Sequence, residues 1–196
     1  MKNQYLYSKI TVVLLVCLPI LSFAQVKTII TGTVENASKD SVLIKFDKTY
    51  LGKKTSIFKI PVQNNEFKLE FQLDRNRIVD LSYQGQTIQV YLEPQDNLNV
   101  KFKAGTLHET IVYSGKGSEN NIFYKKLYDQ LKNDFTASVM EEKMKSFGID
   151  EFEMLIFDNR RKHQKLYAEY PSKSLLSGSF SKFVENHIKY NYLHQL

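Results

Sequence analysis

"EFKLEFQL", residues 66–73, alternates without a break. Phe67, Leu69, Phe71 and Leu73 fall on one side of the chain, Glu66, Lys68, Glu70 and Gln72 on the other. A period of two belongs to an extended strand with one buried face, because successive side chains of a strand point to opposite sides. The same period continues in both directions. "KTIITGTVEN" (27–36) alternates and is rich in β-branched residues, and "DSVLIKFDK" (40–48) puts Val42, Ile44 and Phe46 on one face. "TSIFKIPV" (55–62) reads as a further strand, and Pro61 marks it as an edge or an end because proline brings no N–H to a ladder. "RIVDLSY" (77–83), "TIQVYLE" (87–93), "NLNVKFK" (97–103) and "ETIVYSG" (109–115) follow.

Turn chemistry separates these runs. "ASKD" (37–40), "QNNE" (63–66), "YQGQ" (83–86) and "PQDN" (94–97) supply the Asn, Asp and Gly that tight turns require. About eight short, regularly spaced strands predict an antiparallel β-sandwich or barrel over residues 25–116.

The period changes at Ser118. In "SENNIFYKKLYDQLKNDF" (118–135), Tyr124, Leu127, Tyr128, Leu131 and Phe135 recur at steps of three and four, the stripe of an amphipathic helix, with Ser118 as its expected N-cap. Ser138 with Glu141 fits a capping box for a short second helix that Gly148 would close. Asp150 and Glu153 suit the start of a third helix, with Phe152, Leu155, Ile156, Leu166, Tyr167 and Tyr170 as its stripe and Pro171 at its end. "PSKSLLSGS" (171–179) leads to a fourth, with Phe180, Phe183, Val184 and Ile188 on one face. Strands first and helices second describe an α+β chain: a β-module over 25–116, then a helical segment of three to four helices over 117–196, joined near Gly115-Lys116-Gly117.

The first 24 residues read as a secretory signal peptide. Lys2 and Lys9 precede an apolar run from Ile10 to Leu21, and Ser22-Phe23-Ala24 offers a small-x-small site with cleavage between Ala24 and Gln25. The run is shorter than the ~20 residues of a bilayer-spanning helix. Cys17, the sole cysteine, sits inside it after Val16, with Leu18, Ile20 and Leu21 continuing beyond, which does not suit a lipid-modified cysteine. Cleavage would leave a mature chain without thiol, disulfide or Cys-based metal site, exported to the periplasm or cell envelope and touching the membrane only transiently through its leader. The charge is mildly basic, 27 Lys and Arg against 21 Asp and Glu, and "RRK" (160–162) is the densest basic run. A nucleic-acid reader needs a denser stripe, so no nucleic-acid partner is expected.

The leader, "ITGTVEN" (30–36), "VYLEPQDNLNV" (90–100) and "YSGKGSENNIFYKKLYDQL" (113–131) resemble the N-terminal half of exported thioredoxin-like thiol–disulfide oxidoreductases of the TlpA/ResA type, from Gram-negative bacteria. "FVENHIKYNYLHQL" (183–196) is similar to the helix such proteins place shortly before their thioredoxin domain. The resemblance implies a β-sandwich domain of unknown function plus a helical segment, serving as a non-catalytic accessory region that positions a redox domain or contacts its client. It implies as partners a downstream or separate thioredoxin-like domain and an exported client protein. The Cys-x-x-Cys on which the family's chemistry depends is missing from this sequence, so no catalytic residue carries over and no enzyme activity or cofactor is expected of the chain by itself.

The alternative is a free-standing periplasmic peptide- or glycan-binding module. Tyr83, Tyr91 and Tyr113 are its candidate aromatic platform, although strand aromatics are more often core residues. His163 and His187 fall on the apolar stripes of the third and fourth helices and could meet, either as interface residues or around a metal, although no carboxylate completes a ligand set at useful spacing. "SGKGSEN" (114–120) combines glycines, a lysine and a helix start, where an anion could rest, but it lacks the spacing of a phosphate-binding loop and reads better as a flexible joint. Glu141-Glu142 and Asp150-Glu151 read as complements to helix N-termini rather than as an acid–base pair.

Overall fold

The computed structural model describes residues 27–38, 40–47, 55–134 and 137–195. The expected leader, with Cys17 and the Ala24–Gln25 cleavage site, lies outside the described residues, as does Phe135. The strands are β1 (Thr28–Glu35), β2 (Ser41–Asp47), β3 (Thr55–Pro61), β4 (Glu66–Phe71), β5 (Arg77–Tyr83), β6 (Gln86–Leu92), β7 (Asn97–Lys103) and β8 (Val112–Lys116). The helices are α1 (Leu107–Thr110), α2 (Ser118–Asp134), α3 (Ala137–Ser146), α4 (Ile149–Ala168) and α5 (Gly178–Gln195), with a 3-10 turn at Lys173–Leu175. Among the described residues no helix is long and apolar enough to cross a membrane.

The chain is α+β. Its strands form two open four-stranded sheets, ordered β4-β1-β7-β8 and β3-β2-β5-β6, and not a closed barrel. All pairings are antiparallel except β1 with β7, which run parallel from Ile29 opposite Asn97 to Glu35 opposite Lys103. The purely antiparallel expectation fails there because β7 reaches β1 only after the chain has passed through both sheets, a crossover that no local alternation encodes.

The inward residues of both sheets build one sandwich-like core. Ile30, Val34, Leu98 and Val100 from one sheet and Val42, Ile44, Leu81 and Val90 from the other are fully buried. Each such side chain contributes about 1.5–3 kcal/mol relative to exposure. Gly32 occupies an inward position of β1, where an added Cβ would lie 2.3 Å from the Phe67 ring and 2.8 Å from Val100. Pro61 does lie on an edge strand, since β3 ends its sheet. Tight reversals use left-handed backbone at Asn64 and Asn65 and at Gln84 and Gly85.

Two local expectations shift. Glu109 and Thr110 belong to α1 rather than to a strand. The Thr110 hydroxyl donates to the Thr106 carbonyl and accepts the Lys103 N–H, and the Gln86 side chain accepts the Leu107 N–H, so side-chain bonds override the β-propensity of the run. Gly148 does not close the second helix but opens the next: its N–H donates to Glu151 at 3.2 Å, on the first turn of α4.

The helices cover one side of this β-layer. α2 packs on β6 and β8, edge strands of different sheets, while α4 packs on α2 and α5. A second apolar cluster joins Tyr91 of β6 to Phe123, Tyr124 and Leu127 of α2, Tyr167 of α4 and Phe180, Val184 and Ile188 of α5. Tyr91 meets Phe180 edge-on, with ring centres 4.7 Å apart, and Phe123 lies 4.7 Å from Tyr170.

Candidate functional site

The densest buried polar group lies where β6 meets α2 and α5. Strand β6 ends its sheet, so one side of its backbone has no strand to pair with. At Tyr91 the side chain of Asn121 takes that place. Its Oδ1 accepts the Tyr91 N–H at 2.8 Å and its Nδ2 donates to the Tyr91 carbonyl at 2.8 Å, a side-chain imitation of the next strand. The same Nδ2 donates to the Gly117 carbonyl at 2.9 Å. Asn121 is 1% exposed, and its two bonds to the Tyr91 backbone are buried while the one to Gly117 is part-buried.

The neighbouring residue ties in α5. Asn120 Oδ1 accepts the Ser177 N–H at 3.1 Å, and the Ser177 hydroxyl accepts the Phe180 N–H at 3.0 Å, which makes Ser177 the N-cap of α5. That hydroxyl donates to Glu93 Oε1 at 2.5 Å. The Tyr91 hydroxyl donates to the same Glu93 oxygen at 3.1 Å and accepts from Asn76 Nδ2 at 2.8 Å. Glu93 is therefore the hub that joins the end of β6 to the start of α5.

Behind Glu93 stands Asp96, 2% exposed, whose Oδ2 accepts the Glu93 N–H at 2.8 Å. Burial, with repulsion from Glu93, pushes its carboxyl up to about 6, against the opposing pull of that hydrogen bond and of Lys116. Gly117 closes over it with φ +93°, and a Cβ there would lie 2.7 Å from Asp96 Oδ2. Glu93, Asp96, Lys116, Gly117, Glu119 and Ser177 line a recess of about 260 Å³ at the start of α2. An anion at "SGKGSEN", the reading set aside in favour of a joint, would meet carboxylates there instead of an open positive end. The segment is the end of β8 running into α2, packed on Asp96, and the cap is Gly117 rather than Ser118, since the Gly117 carbonyl accepts the Asn121 N–H.

The three tyrosines do not form a platform. Tyr83, Tyr91 and Tyr113 are 2%, 1% and 6% exposed. Tyr83 packs edge-on against Phe102 in the inter-sheet core, Tyr91 faces α5, and burial raises the pKa of Tyr91 and Tyr113. The Tyr113 hydroxyl has no hydrogen-bond partner among the described residues.

Burial lowers the pKa of both His163 and His187; at His163 Asp134 opposes it, while Lys162 and His187 add to it slightly. His163 Nε2 lies 3.3 Å from Asp134 Oδ2 at the end of α2, and His187 stacks on Phe183 with ring centres 5.6 Å apart. Asp134 thus supplies a carboxylate that helical spacing could not reveal, because it comes from another helix. Among the described residues no group of three His, Cys, Asp or Glu is placed to hold a metal. Glu141 pairs with Lys145 at 2.7 Å, on the exposed face of α3, and Glu151 caps α4.

An open groove of about 590 Å³ runs over the β4-β1-β7-β8 sheet to the end of β3, with Thr31, Thr33, Pro61, Asn64, Lys68 and Asn99 among its lining. Asn99 Nδ2 donates to Thr31 Oγ1 at 2.9 Å within it. No family model, no curated protein and no solved structure matches this chain.

Proposed function

We propose that the chain is a non-catalytic accessory region of an exported thioredoxin-like thiol–disulfide oxidoreductase, acting in the periplasm, which positions the redox domain or contacts its client. The observation that carries this reading is the Asn120–Ser177–Glu93–Tyr91 network. It fixes the N-terminus of α5, the helix that resembles the one preceding a thioredoxin domain, to the edge strand of a sheet. A positioning element needs such a fixed joint, and an apolar contact alone would leave the helix freer to rotate.

The test is cross-linking in the periplasm from surface positions of α5, with mass spectrometry of what is captured, alongside an insulin-reduction assay. The expected result is a cross-link to a segment or protein bearing Cys-x-x-Cys, with reducing activity residing in that partner. Disulfide reduction by this chain alone, or capture only of proteins lacking Cys-x-x-Cys, would overturn the reading.

The alternative, a free-standing periplasmic peptide- or glycan-binding module, has lost its tyrosine platform. It rests instead on the hydroxyl- and amide-lined groove over β1, β4 and β7. Glycan and peptide arrays probed with the intact protein, compared with Asn99→Ala, test it: binding that ignores this substitution removes the groove from consideration.

A further inference from the structure

Helix α4 is divided by charge. Its first ten residues hold Asp150, Glu151, Glu153 and Asp158 and no base; its last ten hold Arg160, Arg161, Lys162 and Lys165 and no acid. The helix dipole favours this order only within the first and last turns. Asp150, Glu151 and Lys165 lie in those turns, whereas Glu153, Asp158, Arg160 and Arg161 lie in the middle of the helix, so the dipole does not account for the division.

The exposed face carries the same pattern. Asp150, Glu153, Met154, Phe157, Arg161 and Lys165 recur at steps of three and four and are all exposed. The buried side of the helix, with Ile156, Asn159, His163 and Tyr167, is already committed to its own chain. At the centre of the outward stripe lie Met154, 66% exposed, and Phe157, 45% exposed, large apolar side chains that water does not favour. Arg161 lies over the Phe157 ring, 5.2 Å from its centre.

A stripe that is acidic at one end, apolar in the middle and basic at the other is complementary to itself when turned end for end. We propose that α4 is a self-association surface, on which a second copy of this chain docks its own α4 antiparallel about a two-fold axis near Phe157. In that arrangement Glu153 of each copy faces Arg161 of the other, Asp150 faces Lys165, and the Met154 and Phe157 side chains meet at the axis. A two-fold interface uses one patch twice, which is what self-complementarity requires. One helix face makes a small interface, below the ~1,200 Å² of stable complexes, so the dimer is a weak one. The inference does not depend on any redox partner.

Sedimentation equilibrium of the purified protein alone, from about 1 to 500 µM, reads the association directly, in the range expected of small interfaces. The expected result is a monomer–dimer equilibrium that weakens with added salt. Glu153→Arg and Arg161→Glu each weaken it about tenfold or more, while the double variant Glu153→Arg/Arg161→Glu restores it, since the swap re-forms both cross-pairs. Both positions lie on the solvent side, and circular dichroism verifies that the fold is kept in all three variants. A second measurement uses a Cys17→Ser background with Phe157→Cys, whose single thiol lies at the axis and cross-links to its counterpart on mild oxidation; Ile149→Cys, far from the axis, does not. A protein that stays monomeric throughout, a dimer indifferent to both reversals, a double variant that fails to recover, or equal cross-linking at 149 and 157 overturns the proposal.

Discussion

Replacing Asn121 by leucine keeps the side chain close in size and removes its hydrogen bonds. Three are lost, at 2.8, 2.8 and 2.9 Å. The Gly117 carbonyl still receives the Asn121 backbone N–H, but the Tyr91 N–H and carbonyl are left buried on the open side of an edge strand. An orphaned buried group costs about 1–3 kcal/mol, so two cost about 2–6 kcal/mol, and the added apolar burial of leucine returns about 1 kcal/mol. The net expectation is a loss of about 1–5 kcal/mol. For a chain of this length the middle of that range lowers Tm by about 10 °C.

Urea denaturation followed by circular dichroism measures the first quantity, and amide exchange at Tyr91 measures the cause. The Tyr91 amide exchanges faster in the variant by more than the loss of global stability accounts for, whereas amides of the inter-sheet core speed up only in step with that loss. Asn121→Asp sharpens the test. It keeps an acceptor for the Tyr91 N–H but turns a carboxylate oxygen toward the Tyr91 carbonyl, so it destabilises at least as much as leucine does. Ile122→Ala, at a 42% exposed neighbour on the same turn, serves as the control and costs under about 0.5 kcal/mol. A leucine variant within about 0.5 kcal/mol of the parent, with Tyr91 exchange unchanged, would refute the argument that this amide stands in for a missing strand.

Two further outcomes follow from the same geometry. Gly32→Ala puts a methyl group 2.3 Å from the Phe67 ring and 2.8 Å from Val100, and overpacking of this kind costs about 1–3 kcal/mol in urea titrations, while Thr33→Ala on the outward face costs much less. Asp96, whose folded carboxyl is raised to about 6, keeps its proton between about pH 4 and 6 while the unfolded carboxyl ionises. Unfolding then releases a proton, so its contribution to stability falls as pH rises through that window, by an amount on the order of 2 kcal/mol. Asp96→Asn removes this slope, so the gap between variant and parent stability widens in the variant's favour from pH 4 to 6; parallel curves count against it.

Much of the β-layer is legible because its signal is local. The alternation of Phe67 and Phe71, or of Val42, Ile44 and Phe46, needs no knowledge of the partner strand, and these residues are buried as the period requires. The helical stripes behave likewise: Tyr124, Leu127, Ile156, Phe180 and Val184 all face inward. What escaped was set by distant groups. Tyr91 breaks the alternation of β6, since Val90, Tyr91 and Leu92 are all buried, because helices cover the outer face at that point. Only the consecutive apolar run "VYL" hints at burial on both faces. The pairing of Ser177 with Glu93 spans 84 residues, and that of Asn121 with Tyr91 spans 30. In sequence, Asn120-Asn121 looks like an ordinary polar helix start, and nothing local separates a solvated amide from one that replaces a strand. Gly117 was visible as a breaker, but its tight fit against Asp96 was not.

The two kinds of contact between sheet and helices do different work. The aromatic cluster around Phe123 and Phe180 supplies attraction, but dispersion and hydrophobic burial depend weakly on direction, and a helix on an apolar face can slide or roll at modest cost. The hydrogen bonds cannot tolerate that freedom. Ser177 must present its hydroxyl to Glu93 and to Phe180 N–H at once, and Asn120 must meet Ser177 from the first turn of α2. A roll of α5 that broke them would strand Glu93, a charged group held against Tyr91 and Ser177, where desolvation makes an unpaired acceptor costly. The polar junction therefore selects one orientation out of those the apolar cluster would allow. An accessory region acting by position requires that selection at the base of α5. A ligand-binding module centred on the groove over β1, β4 and β7 does not, because none of that groove's lining residues belongs to α5 or to its polar junction.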